Sequence, residues 1–127
     1  MNEHAAWSFV EAAQDRFRAL SDRVWATPET CYAETRSAAA HLEELTHQGF
    51  RVQDGVADIP TAMMGEAGEG GPVIAFLGEF DALAGLSQEA DVAVQTPMEL
   101  GGNGHGCGHN LLGSAAMLAA VAVRDWL

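Results

Sequence analysis

A chain of 127 residues, 48 % of them apolar, is long enough to bury a core and short enough to be one domain. Eighteen acidic against six basic residues give a net charge of −12, a surface that repels nucleic acid and anionic membranes and argues against both as partners. Two cysteines, Cys31 and Cys107, make no disulfide framework, and the first residues show no basic-then-apolar leader, so a reducing cytoplasm is the expected setting.

From Glu3 to about Ala26, the apolar residues Trp7, Val10, Phe17, Leu20 and Val24 recur at spacings of three, four and seven. This pattern predicts an amphipathic helix with Glu11, Asp15, Arg18 and Asp22 outward. Thr27-Pro28-Glu29 reads as a stop followed by a cap. A second helix is predicted from about Glu34 to Gln48, with Ala38, Leu42 and Leu45 inward and Gly49 as its C-terminal cap. Phe50-Arg51-Val52 begins a short strand, and Thr61 to Gly65 forms another. The Gly- and Pro-rich run Glu66–Pro72 turns the chain.

Val73-Ile74-Ala75-Phe76-Leu77 is a continuous apolar run of strand length, as expected of a strand buried on both faces. Gly85 to Gly104 is polar and loop-like. Leu111 to Leu127 is an alanine-rich helix, apolar nearly all round and therefore built for burial. Its apolar core, Leu111 to Val123, is shorter than the roughly 20 residues needed to cross a bilayer. This order of helices and strands predicts a layered α/β domain.

The densest chemistry lies in Gly101-Gly102-Asn103-Gly104-His105-Gly106-Cys107-Gly108-His109-Asn110. Bare backbone lets a ligand approach closely, and the N-terminus of the following helix supplies unpaired N–H groups and partial positive charge. Cys107 and His109 are therefore candidate metal ligands, weighed against a buried cysteine beside a capping histidine. His105 is left open among a ligand, a support for a ligand and a solvent-facing side chain. A phosphate loop is the rival use of so much glycine, but neither G-x-G-x-x-G nor the Walker pattern can be laid on residues 101–113. A thiol nucleophile is disfavoured because His109 is only two residues from Cys107, whereas nucleophile and base usually come from separate parts of a fold.

Just past the apolar run stand Glu79 and Asp81, two residues apart and pointing to one side of an extended chain. Either could orient a histidine ligand; the competing reading is a solvated strand end. His4, His41 and His47 fall on predicted helix surfaces and are expected to be solvated. A catalytic zinc needs about three protein ligands and a general base. Two good ligands and no convincing base are visible here.

The block His105-Gly106-Cys107-Gly108-His109-Asn110-Leu111-Leu112-Gly113, preceded by Gly78-Glu79-Phe80-Asp81-Ala82-Leu83-Ala84-Gly85-Leu86-Ser87-Gln88, resembles the amidohydrolase branch of the zinc aminoacylase and carboxypeptidase family. Pro28-Glu29-Thr30 and Gly49-Phe50 also match the family's opening. The resemblance implies a two-metal centre, zinc or manganese, on a three-layer α/β/α catalytic domain with an inserted dimerisation domain. It makes Cys107 and His109 metal ligands and places Asp81 beside the site. Relatives often show Asp where this chain has Glu79, and a metal-binding His in place of Leu77, which leaves the role of Glu79 open.

The family's Glu-Glu general base, two further histidine ligands and the dimerisation domain have no counterpart in these residues. The expectation is therefore that residues 1–127 are an N-terminal part of the catalytic domain, inactive alone. When whole, the protein would be a homodimer or heterodimer that cleaves an amide bond to an amino acid, with a small aminobenzoyl-glutamate or N-acyl amino acid as substrate. The alternative is a non-catalytic truncated relative acting as a binding or regulatory partner. In either case the final helix is expected to leave apolar surface uncovered.

Overall fold

The computed structural model describes residues 3–126, apart from the side chains of Glu3 and His4. Helix α1 runs Glu3–Trp25 and helix α2 Thr35–His47. Strands β1 (Arg51–Asp54) and β2 (Met63–Glu66) follow, and helix α3 spans His109–Trp126. The strands form an antiparallel hairpin in which Arg51 pairs with Glu66 and Asp54 with Met63. Among the described residues no helix is long and apolar enough to cross a membrane.

The core sits where the three helices and the hairpin converge. Phe17 and Leu20 of α1, Ala40 and Leu45 of α2, and Met117 and Val121 of α3 are buried together. Phe9, Ala13, Phe50, Val52, Met63 and Leu118 close around them. Val24, with no exposed surface, continues the inward stripe of α1; full burial of a side chain of this size stabilises by about 1.5–3 kcal/mol. The first helix buries the predicted stripe except at its start. Trp7 is 60 % exposed, because α1 is longer than the core it covers and contact with that core begins only at Phe9.

The second helix begins on an unusual cap. The Glu29 carboxylate accepts hydrogen bonds from the backbone N–H of Arg36 and Ser37, with the Arg36 guanidinium alongside. Glu29 thus acts from outside the helix on the N–H groups that a first turn leaves unpaired. At the other end, Phe50 N–H donates to Leu45 O beside Gly49, the glycine expected to stop the helix. The Arg124 guanidinium stacks over Phe50 at 5.2 Å and donates to the Gln48 carbonyl, tying the end of α3 to the end of α2.

Three expectations are corrected here. His41 is buried, at 3 % exposure, because it shares the inward face of α2 with Ala38 and Leu45; His47 is exposed as expected, and the side chain of His4 lies outside the described residues. Residues 73–77 are not a doubly buried strand. No strand among the described residues pairs with them, and Val73 and Leu77 are 88 % and 87 % exposed. A central strand needs a neighbour on each edge, and the hairpin lies elsewhere. Finally, α3, apolar nearly all round, buries one face only: Met117 and Val121 turn inward, while Leu111 and Leu112 are the uncovered apolar surface expected of this helix. Mixed α/β content is what the structure shows.

Replacing Glu29 with Gln should cost about 1 kcal/mol, typical of a lost helix cap. Burial pushes the Glu29 pKa up, but the N–H donors of Ser37 and Arg36 outweigh it and hold the carboxyl below its ordinary 4.5. A depressed carboxylate pKa contributes stability above 4.5 that is lost as pH falls below it. The difference in Tm between wild type and Glu29→Gln should therefore be full at neutral pH and close as the pH is taken below 4.5.

Candidate metal centre

Helix α3 opens at His109, so the glycine-rich loop does deliver its imidazole to a helix mouth. Three side-chain hydrogen bonds hold that loop against α1 and the turn after it. Asn103 Nδ2 donates to Pro28 O at 3.2 Å, His105 Nε2 to Val24 O at 3.1 Å, and Asn110 Nδ2 to the Ser21 hydroxyl at 3.0 Å. His105 is thereby neither a ligand in the cluster below nor solvent-facing. It is a buried anchor whose Nε2–H is spent on a carbonyl. Burial, with the nearby His109, pushes its pKa down against the Val24 carbonyl and Asp81.

On the opposite side, residues 81–83 are pinned between two segments. Ala82 N–H donates to Glu29 O at 2.7 Å, and Leu83 exchanges backbone hydrogen bonds with Gly104 at 2.9 and 3.0 Å. Gly104 has no alternative here, because a Cβ would fall 1.9 Å from the Leu86 carbonyl oxygen. This pairing carries Asp81 and Glu79 to the mouth of α3.

There His109 stands between two carboxylates. Its Nδ1 lies 2.6 Å from Asp81 Oδ1 and its Nε2 2.8 Å from Glu79 Oε2. One ligand atom from each of the three residues lies within 4.8 Å of the others. A neutral imidazole has a single N–H. If Nδ1 donates it to Asp81, the Nε2 lone pair faces a carboxylate oxygen, an arrangement that requires a proton or a cation between or beside them. The 2.8 Å edge is close to the roughly 3 Å spacing of neighbouring donor atoms around an ion bound at about 2.0–2.2 Å. The donors at that edge, one imidazole and one carboxylate, suit zinc or manganese, with Asp81 on the other ring nitrogen. Cys107 is exposed, two residues before His109, and is not one of the three clustered groups.

Sequence reasoning does not anticipate Ser21, Asn103 or Asn110, nor the part played by His41. His41 Nδ1–H donates to Ser37 O at 3.0 Å, and its ring stacks on Phe80, the residue between the two site carboxylates, at 4.7 Å. Its Nε2 is buried without a partner among the described residues. Spacing could have found it: positions 38, 41 and 45 share one helical face.

The chain is related to hydrolases. It is 50 % identical over 118 residues, 93 % of its length, to a subunit of p-aminobenzoyl-glutamate hydrolase from Escherichia coli strain K12. It is 32 % identical over 129 aligned residues, 91 % of its length, to Xaa-Arg dipeptidase of Mus musculus. It covers 24 % and 25 % of those proteins, so it spans about a quarter of the length of the curated relatives it matches. These matches show the relationship to the zinc aminoacylase and carboxypeptidase family that the motifs carry. No family model matches the chain.

Gly113 of α3 faces this assembly. A Cβ there would lie 2.7 Å from Glu79 O and 2.8 Å from His41 Nε2. Gly113→Ala should destabilise by about 1–3 kcal/mol, the usual cost of forcing volume into a packed site, measured as a drop in denaturant midpoint. Burial also pushes the His41 pKa below its ordinary 6.5. For an imidazole with a lowered folded pKa the unfolded chain takes up the proton first, so stability should fall as pH drops below 6.5. His41→Phe, which keeps a ring against Phe80, should flatten that slope in thermal melts.

Proposed function

We propose that residues 1–127 form the N-terminal, metal-holding part of the catalytic domain of a metal-dependent amidohydrolase. The reaction is cleavage of an amide bond to an amino acid, of the aminobenzoyl-glutamate or N-acyl amino acid type. The observation that carries this reading is His109 held between Glu79 and Asp81 at the mouth of α3, in a chain half identical to part of a hydrolase.

In this reading His109 Nε2, the Glu79 carboxylate and the Cys107 thiolate are the groups that would hold zinc or manganese. A metal ion so bound supplies Lewis acidity toward the amide carbonyl and activates water. The chain's own residues do the positioning. Asp81 takes the Nδ1–H of His109, fixing the tautomer and ring plane that present Nε2. The His105, Asn103 and Asn110 hydrogen bonds keep the loop from drifting, and the His41–Phe80 stack holds the segment that bears both carboxylates. Because Glu79 and Asp81 both face His109, neither is free to serve as general base, and the family's Glu-Glu pair is expected to supply it.

A second reading, a non-catalytic partner docking on a relative, is favoured by the bare apolar run at residues 73–77. Adding a relative's downstream portion in trans separates the two: metal-dependent hydrolysis supports the enzyme, and stable association without hydrolysis supports the partner.

The metal assignment is tested by titrating zinc and manganese into the reduced chain by calorimetry. Stoichiometric binding is expected, with His109→Ala and Glu79→Gln abolishing it and Asp81→Asn weakening it by about 10–100-fold, the usual effect of removing a group that orients a ligand. Cys107→Ser should also lose metal; undiminished affinity would remove the thiol from the ligand set. Binding in wild type that survives His109→Ala would overturn the site.

A further inference from the structure

Residues 27–30 connect α1 to the turn before α2, and their backbone touches both halves of the metal centre. The Thr27 hydroxyl donates to the Arg23 carbonyl at 3.1 Å, holding the segment on the last turn of α1. Pro28 O accepts from Asn103 of the glycine-rich loop, and Glu29 O accepts from Ala82 N–H at 2.7 Å. Thr30 adds a parallel bridge to Ala82. Two adjacent carbonyls thus hold the two segments whose side chains meet at His109. The backbone pairing of Leu83 with Gly104 closes the third side of the triangle.

The side chain of Glu29 makes this segment a fixed member. Glu34 occupies the N-cap position of α2 but makes no side-chain bond to the helix; its carboxylate accepts from the Thr61 hydroxyl instead, at 2.8 Å. The unpaired N–H groups of the first turn go to Glu29, six residues before Thr35. Ser37 N–H donates to it at 2.9 Å and Arg36 N–H at 3.0 Å. Arg36 Nε and the Thr35 hydroxyl add bonds at 3.2 and 3.3 Å. With its side chain only 12 % exposed, Glu29 has little water to exchange these partners for.

A cap in the ordinary position would serve the helix as well. Reaching it from residue 29 requires a return of the chain, closed by Ala33 N–H on Thr30 O, with Tyr32 at φ 64° in the left-handed region that bulky side chains avoid. Strain of this kind persists where the surroundings fix the backbone and is concentrated at functional sites. What the remote cap achieves, and a local one would not, is immobilisation of the peptide whose carbonyl holds Ala82.

We infer that Glu29 is a positioning residue of the metal centre: its carboxylate, locked on the start of α2, fixes the peptide that holds Ala82 and so sets Asp81 against His109 Nδ1. This rests on the metal-site reading above and adds to it a residue that touches neither the ion nor the imidazole. The path is short. One hydrogen bond joins Glu29 O to Ala82, one peptide joins Ala82 to Asp81, and Asp81 Oδ1 lies 2.6 Å from the ring.

Hydrogen exchange and zinc titration of the reduced chain separate this role from that of a cap that only stabilises. In Glu29→Ala the Ala82 amide should exchange roughly two- to tenfold faster, the worth of about one hydrogen bond. The Phe50 amide, bonded to Leu45 O at the far end of α2, should change less; a purely global loss speeds both alike. Zinc affinity should fall by roughly two- to thirtyfold, the range for a residue acting through a packed network. Glu29→Gln, which keeps the shape and one acceptor, should restore part of both. Added to Asp81→Asn, Glu29→Ala should weaken zinc binding little further, because its route to His109 is already gone.

Equal acceleration at Ala82 and Phe50, or a zinc loss that adds in full to that of Asp81→Asn, would overturn the inference and leave Glu29 a helix cap. Zinc uptake that depends on His109 but ignores both Glu29 variants overturns it while sparing the metal centre. A wild-type chain that takes up no zinc overturns the metal centre instead, and the hold of Glu29 on the Asp81 segment is then decided by exchange at Ala82 alone.

Discussion

The arrangement depends on the attachment of one glycine-rich loop to the end of one helix. The bonds from His105 to the Val24 carbonyl, from Asn110 to Ser21 and from Asn103 to Pro28 are what turn a flexible segment into a fixed one. Each joins residues at least 75 positions apart in the chain, so each orders much backbone for one bond. A typical hydrogen bond nets only about 0.5–1.5 kcal/mol, less than the entropy of fixing a single residue's backbone and side chain. The bonds therefore act less as a source of stability than as a choice of geometry, on a scaffold whose stability comes from the Phe17–Leu20–Met117–Val121 contact.

That division explains why the interface of α1 with α3 is polar at one end and apolar at the other. Near the loop, Ser21, Asn110 and Ser114 are buried and mutually satisfied, with the Ser114 hydroxyl returning a bond to the Asn110 carbonyl. Further along, the buried contacts are between apolar side chains. Polar contacts specify which way α3 points where His109 must be placed, because buried polar groups tolerate few alternative pairings. Apolar contacts complete the helix where only burial matters. Gly113 lies where the constraints meet, with the Glu79 carbonyl and His41 both standing where a Cβ would go.

Much of the scaffold is legible in the sequence because it is local. The three helices, the stop at Thr27–Pro28, the cap at Gly49 and the hairpin segments all follow from spacing and from residues with restricted backbone angles. His109 at the mouth of α3, and an acidic residue on its imidazole, also follow from motif and position. His41 escapes such a reading when its neighbours at 38 and 45 are assigned to the inward stripe without the position between them. Ser21, Asn103 and Asn110 carry no signal in a single sequence: a polar residue on a helix or in a loop looks solvated until its partner, far along the chain, is known.

The apolar run at residues 73–77 shows where local reading meets a non-local requirement. Its composition is that of a central strand, yet strand character is a property of pairs, and among the described residues the run has no paired neighbour. Gly78, immediately after it, lies against Gly113 and Ala116 of α3, and among the described residues the run before it has no sheet to join. Val73 and Leu77 then stand almost wholly in water, each forgoing the roughly 1.5–3 kcal/mol that burial of such a side chain provides. An open edge with that composition invites pairing with another strand. Its sequence is thus matched to strand neighbours, whereas the site just beyond it is already assembled without them. The segment bearing Glu79 and Asp81 takes its position from α3, Glu29 and Gly104, which is why the carboxylates meet His109 while the run before them lies bare.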